Sequence, residues 1–335
     1  MLMSKKKTYN CKNNINNCQY KKNFFPYRRI KTKTGFKHIL NNVEVHDKTK
    51  INRFNKIYIP PAYTDILIAK SPKFKIQVIG KDVKGRKQYI YNPEYVKRQN
   101  LKKYNHMSCI GKKLLTIEDK NKHNILKLYN NLKDPYFNIN LDDMLEIILC
   151  LLIKYHFRIG NQKYEKEYNS FGLTTLKKKH IILKTNNNDY CIKFIGKKGV
   201  ENKIEDKHMI LHNILKNLTK NLNPNDYIFN YEYNNKKKLI TPVIVNSYLQ
   251  KLFGENITPK MFRTWYANYH LLSYLNMIKK KINMNSNDLK KGEIKNIISG
   301  GTKYVSDKLN NTPCISKKSY INPKYIDLLK NHTRS

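Results

Sequence analysis

The sequence predicts an α+β fold, with a small β-rich N-terminal domain followed by a larger, mainly α-helical one. Three observations lead there. Between residues 24 and 104 apolar residues alternate with cationic or polar ones, the period of half-buried strands. Beyond Met107 they recur every three or four residues, the period of an amphipathic helix. A length of 335 residues, 40% of them hydrophobic, allows two domains that each bury a core. The expected organisation is a mobile basic tail over 1–23, a β-rich domain over 24–106 and a mainly helical domain over 107–335.

The tail is dominated by Lys, Asn, Tyr and Cys without apolar periodicity. Ile57 to Ile59 then precedes the Pro60-Pro61 break, and Tyr63 to Ile68 and Lys73 to Ile79 follow as strands. In the latter, Phe74, Ile76 and Val78 are expected inward and Lys73, Lys75 and Gln77 outward. Gly80 to Gly85 turns into Arg86-Lys87-Gln88-Tyr89-Ile90-Tyr91, with Gln88 and Ile90 on one face and Arg86, Lys87, Tyr89 and Tyr91 on the other. A ribbon bearing Arg, Gln and Tyr fits the major groove of a duplex, where Gln reads adenine and Arg reads guanine or phosphate. Taken alone, it reads more readily as a solvated basic hairpin.

In the second half Asn140 caps a helix whose Leu141, Met144, Leu145, Ile148, Leu149 and Leu152 share one face, and which delivers Arg158-Ile159-Gly160-Asn161 at its end. Ile181 to Lys184 and Tyr190 to Ile195 read as a hairpin across Asn186 to Asp189, running into Gly196-Lys197-Lys198-Gly199. Further helices are expected from Met209 to Leu222, and after Thr241-Pro242 and Thr258-Pro259, where an N-cap precedes proline at the first helical position. The last of these carries Lys260 and Arg263, with Phe262, Trp265 and Tyr269 as its core stripe. An arginine among so many aromatic residues is costly unless it meets an anion. Ile294 to Leu309 suggests a helix broken or kinked at Gly300-Gly301, leading into Asn310-Asn311-Thr312-Pro313 and on to Tyr320.

Charge points to the partner. Against 24 acidic residues stand 66 Lys and Arg, a net +42, and repulsion on that scale favours a polyanionic partner. Nucleic acid is the first candidate and an anionic membrane surface the second; 25 tyrosines favour the first. The apolar run Ile147 to Ile153 is too short to span a bilayer, and Met1 to Lys7 leads into no apolar segment of a secretory signal. The expectation is an intracellular protein, located wherever its DNA is, with no membrane association. Cys11, Cys18, Cys109, Cys150, Cys191 and Cys314 form no CxxC pair and read as reduced thiols without a metal.

Arg158, Lys197, Arg263 and Tyr320 each fall at the end or turn of an element, at spacings that no local motif explains. Together they are what transesterification at phosphorus requires. Two guanidinium forks hold the non-bridging oxygens, a lysine protonates the departing oxygen and a phenol attacks. No acidic cluster suited to a two-metal nuclease is evident.

With these residues in place, the chain resembles the poxvirus-type DNA topoisomerases IB, including their giant-virus and bacterial relatives. The resemblance rests on Pro60 to Asp65, Gly85 to Tyr91, Arg158 to Asn161 with Tyr164, Tyr168 to Leu176, Phe194 to Lys197, Phe262 to Trp265, and Asn311 to Pro313 with Tyr320. These blocks occur in family order and cover the chain from Ile57 to Tyr325. It implies a helical catalytic domain of the tyrosine recombinase and topoisomerase IB type, behind a β-rich DNA-binding domain. It also implies that Tyr320 forms a 3′-phosphotyrosyl link, Arg158 and Arg263 stabilise the transition state, and Lys197 is the general acid, with Lys198 its neighbouring alternative. Asn311 stands where poxvirus members carry histidine and bacterial-type members asparagine. Arg86, Gln88, Tyr89 and Tyr91, with Asn161 and Tyr164, match the family's DNA contacts. The implied activity relaxes supercoiled double-stranded DNA without ATP or an obligatory divalent cation, and a monomer is the simplest state. Two other readings stay open at this point: a tyrosine recombinase or integrase, which shares the Arg-Lys-Arg-Tyr chemistry, and a non-enzymatic basic protein that packages nucleic acid.

Overall fold

A computed structural model describes residues 24–184, 188–254, 257–282 and 290–331. The tail over 1–23 and Asn186 and Asn187 of the expected turn lie outside the described residues. The chain divides into two compact units between Lys103 and Tyr104, and helix α2 (Pro93–Asn131) runs through the division. Helix therefore begins well before Met107: Asn92 accepts from the backbone of Glu94 at 2.8 Å, and Pro93 needs no donor in the first turn.

The N-terminal unit is built on a six-stranded antiparallel sheet. Its strands are β1 (Tyr27–Thr32), β2 (Gly35–Leu40), β3 (Val43–Glu44), β4 (Thr64–Ile68), β5 (Ile76–Lys81) and β6 (Lys87–Tyr91), in the order β3-β2-β1-β4-β5-β6. Helix α1 (Lys48–Asn55) sits between β3 and β4 in sequence and buries Phe54, while Ile57 to Ile59 is connecting chain and not strand. The outward side expected for β5 is not solvent. Gln77 is 5% exposed, and its amide donates to the carbonyls of Ser71, Pro72 and Phe74. A polar side chain goes under the preceding loop because three carbonyls there satisfy it.

The larger unit holds α3 (Leu141–Tyr155), α4 (Gln162–Tyr168), α5 (Met209–Thr219), α6 (Pro242–Phe253), α7 (Pro259–Ile282), α8 (Lys291–Lys308), α9 (Pro313–Ser319) and α10 (Pro323–Asn331). A three-stranded sheet, β7 (Ile181–Leu183), β8 (Asp189–Ile195) and β9 (Glu201–Lys207), and a ribbon, β10 (Asn230–Tyr233) with β11 (Lys236–Leu239), complete it. Asn140 and Asp143 form a reciprocal capping box at the start of α3, whose Ile147, Leu151 and Leu152 are fully buried. The core joins α3 to α2, α5, α6, β8 and the first turns of α7.

Two expectations about helices give way to packing. On α7 Phe262, Arg263, Thr264, Tyr266, Ala267 and Leu271 are among the buried residues, whereas Tyr269 is 52% exposed and stacks on Trp265 at 5.4 Å between centroids. Gly300-Gly301 does not break α8, which is continuous from Lys291 to Lys308. The glycines admit α7 instead: a Cβ on Gly301 would lie 2.8 Å from Leu271, and one on Gly300 would strike the Tyr274 hydroxyl. Among the described residues no helix is long and apolar enough to cross a membrane.

Candidate active site

Arg158 is presented by a sharp exit from α3. His156 ends the helix in the left-handed region (φ 54°), Phe157 drops into the core at 1% exposure, and Arg158 follows. The next residues are gripped from below: Leu173 donates to the Arg158 carbonyl at 2.8 Å and Thr174 to that of Ile159 at 2.7 Å. Here two glycines are obligatory. Gly160 has φ 85°, and a Cβ on Gly172 would lie 2.5 Å from the Gly160 nitrogen.

Arg263 reaches the same place from α7 and is only 2% exposed. Its Nη1 donates to the His156 carbonyl and its Nη2 to the Leu309 carbonyl at 2.7 Å, while Nε is buried without a partner. Neither it nor Arg158 has a carboxylate partner among the described residues. Burial first, and then the charge of Arg158, pushes the Arg263 guanidinium down to about 10, so it stays cationic at neutral pH.

Asn311 completes this side. Arg158 Nη2 donates to its Oδ1 at 2.7 Å. A guanidinium has no acceptor, so the amide oxygen must face it; the NH2 is left buried without a partner.

Tyr320 ends α9 and is 6% exposed, with the Arg263 guanidinium 5.4 Å from its ring centroid. Burial raises the pKa of such a phenol, but the charges of Arg263 and Arg158 and the hydrogen bonding they offer outweigh it, and the net direction is down. Its backbone is held as well. Asn268 donates to the Tyr320 carbonyl at 3.0 Å and accepts from the Asn322 backbone at 2.7 Å; the Tyr104 hydroxyl donates to the Ile321 carbonyl at 2.7 Å. Burial lifts Tyr104 to about 12, which keeps that hydroxyl a donor.

Lys197 is not part of this cluster. It stands exposed in the turn between β8 and β9, where Lys198 (φ 66°) and Gly199 (φ 75°) reverse the chain and Gly196 donates to the Val200 carbonyl at 2.8 Å. No hydrogen bond, ion pair or ring contact ties Lys197 to Tyr320 or to either arginine. The structure thus gathers Arg158, Arg263, Asn311 and Tyr320, and leaves Lys197 on a separate hairpin. Among the described residues no three His, Cys, Asp or Glu side chains could hold a metal ion.

The residues expected to touch DNA fall in two places. Asn161 caps α4, accepting from Lys163 at 2.8 Å, and Tyr164 on the same helix is 57% exposed beside Tyr168. In the N-terminal unit Arg86 and Gln88 do not point to opposite faces. Arg86 Nε and Gln88 Nε2 both donate to Asp82 Oδ2, at 2.8 and 2.9 Å, so one carboxylate aligns them. The Arg86 hydrogen bond, against a smaller burial effect, holds Asp82 down to about 2. Tyr89 lies 6.5 Å from Tyr91, which stacks on Tyr95 at 5.9 Å between centroids.

His156, Asn268, Tyr104 and Asp82 support the expected residues, yet the local sequence marks none but Asn268 as a partner. For Asn268 one signal exists: it is a polar residue one turn beyond Thr264 and Arg263 on the buried face of α7.

Comparison with known proteins identifies the family. Residues 86–333 match the catalytic core of eukaryotic DNA topoisomerase I, and residues 38–82 match the N-terminal domain of bacterial DNA topoisomerase IB. The chain is 30% identical over 296 residues to DNA topoisomerase 1B of Acanthamoeba polyphaga mimivirus, covering 87% of this chain and 83% of that protein. It is 26% identical over 284 residues to DNA topoisomerase 1B of Vaccinia virus (strain Copenhagen), covering 82% and 80%. With DNA topoisomerase I of Monkeypox virus it shares 25% over 285 residues, again 82% and 80%.

Proposed function

Because the chain belongs to the type IB DNA topoisomerases, enzymes that act on DNA, we propose that Tyr320 is its nucleophile and that Arg158, Arg263 and Asn311 hold the phosphate it attacks. The observation that carries this is the cationic pair, Arg263 buried and Arg158 half-buried: two arginines without a carboxylate among the described residues converge on one phenol, and Asn311 adds an unpartnered amide donor. A phosphodiester supplies the negative charge these groups lack.

In the forward step Tyr320 releases its phenolic proton to water, its oxygen bonds to phosphorus and the bond from phosphorus to the 5′ oxygen breaks. The guanidiniums and the Asn311 amide take the charge that grows on the non-bridging oxygens. Lys197 gives its proton to the departing 5′ oxygen once DNA lies across the β8–β9 hairpin. The link formed is a 3′-phosphotyrosine. The free end swivels, and the 5′ hydroxyl attacks phosphorus to reverse each step. Torsion in the duplex drives relaxation and the covalent link conserves the energy of the broken bond, so the reading requires neither ATP nor a metal ion. The N-terminal unit contributes DNA contacts through Arg86, Gln88, Tyr89 and Tyr91, and α4 through Asn161 and Tyr164. The helical unit is read as the catalytic domain shared with tyrosine recombinases, and the working species as a monomer.

Relaxation of supercoiled plasmid in chelator, without nucleotide, tests the reading. Wild type should relax it and yield a denaturation-resistant adduct mapping to Tyr320. Dependence on added metal or ATP, or an adduct on another tyrosine, would overturn the assignment. A strand-exchanging recombinase and a packaging protein are not favoured by the family.

A further inference from the structure

The β10–β11 ribbon has no part in the cluster around Tyr320. Its turn residues, Asn234 and Asn235, both have positive φ (50° and 55°), as a tight two-residue hairpin requires. Direct pairing of Tyr231 with Lys238, Glu232 with Lys237 and Tyr233 with Lys236 sorts the side chains by face. One face carries Tyr231, Tyr233, Lys236 and Lys238. The other places Glu232 directly across from Lys237, so its charges offset.

The cationic face is also the aromatic one. Tyr231 packs on the core at the root, and beyond it Tyr233 and the lysines run into solvent. Lys238 Nζ sits 4.0 Å from the centroid of the Tyr233 ring, which fixes the ammonium without neutralising it. Neither Lys236 nor Lys238 has a carboxylate partner among the described residues.

The root ties the ribbon to the reacting centre. Ile228 donates to the Leu176 carbonyl at 3.0 Å, and Tyr227 pairs with Lys177. Leu173, three residues before Leu176, donates to Arg158. The ribbon and Arg158 therefore hang on the same short segment.

We propose that β10–β11 is a backbone-binding ribbon that seats Lys236 and Lys238 on phosphates of the duplex flanking the bond to be cut. Lysine ammoniums are point charges without a fork for a base edge, so the contact is independent of sequence. The proposal rests on duplex DNA being the substrate.

Duplex binding across a salt series, and single-turnover adduct formation at saturating protein, compare wild type with K236A/K238A and K237A. The double variant should lower the slope of log K against log salt by about 1.8, from about 0.9 for each of two phosphates. K237A should leave the slope within about 0.3 of wild type, because that lysine faces Glu232. Adduct formation at saturation should stay within about twofold of wild type, since no reacting group is touched. An unchanged slope in K236A/K238A, or an equal fall in K237A, would overturn the proposal. Binding is read apart from relaxation, so the ribbon is decided even if the assignment of Tyr320 fails.

Discussion

Arg263 is 2% exposed and fastened to two main-chain carbonyls, whereas Lys197 stands in solvent on a turn held by backbone hydrogen bonds and by the Asn202 amide. Both are proposed to serve one phosphodiester, and the difference follows from what each must do. A charge stabiliser must keep its charge, and a guanidinium does so even when burial lowers it to about 10. An ammonium buried as deeply could lose its proton, and an acid must regain one after every cleavage. Fixed charge can therefore be buried ahead of time, while the proton donor stays where water can recharge it.

The largest effect expected is from Tyr320→Phe, which leaves the arginine cluster in place but removes the attacking oxygen. Adduct formation should fall by roughly 10^5-fold or more. Residual relaxation near the wild-type rate would sink the buried half of the comparison.

Next in size, Arg263→Ala should slow single-turnover cleavage about 10^2- to 10^3-fold, the range for losing a preorganised donor to a developing oxyanion. It should also move the pH profile. The Tyr320 pKa lies below its ordinary value through the two arginines, so the wild-type rate should rise with pH and level off below the usual phenol range. Without Arg263 the levelling should shift to higher pH. A large rate loss with an unmoved profile would mean that Arg263 acts on the phosphate alone.

Lys197→Ala should cost about 10^2-fold, at the low end for a lost general acid, and Lys198→Ala no more than about threefold. A substrate whose leaving 5′ oxygen is replaced by sulfur departs without a proton, so it should restore Lys197→Ala and leave Arg263→Ala slow. If Lys198→Ala is the variant so restored, the acid is the neighbour.

Among the four groups proposed for the chemistry, the smallest effect is expected for Asn311→Ala, about tenfold or 1.4 kcal/mol, the scale of one neutral hydrogen bond to a charged group. A loss as large as that of Arg263→Ala would place Asn311 among the principal stabilisers.

The residues proposed to react were more legible in the sequence than their supports, for a physical reason. Arg158, Arg263 and Tyr320 sit where capping residues, prolines and helical periodicity announce element ends, and local chemistry leaves such marks. Gln77, buried under three carbonyls, and Asp82, which aligns Arg86 with Gln88, owe their places to partners that a period of two does not reveal. The Gly300-Gly301 pair reads locally as a helix breaker, and only the approach of Tyr274 and Leu271 shows it to be a helix crossing. Asn268 and Tyr104 hold the backbone beside Tyr320 from 52 and 217 residues away in sequence, beyond any pattern within one element.

The carbonyl of Leu309 that anchors Arg263 bears on how the enzyme comes into being on the ribosome. Until that carbonyl arrives, Arg263 lacks half its anchorage, and the phenol it serves is translated later still. On the proposed assignment, a chain whose synthesis stops before Tyr320 lacks the attacking oxygen, so strand cutting is confined to chains whose synthesis has passed it.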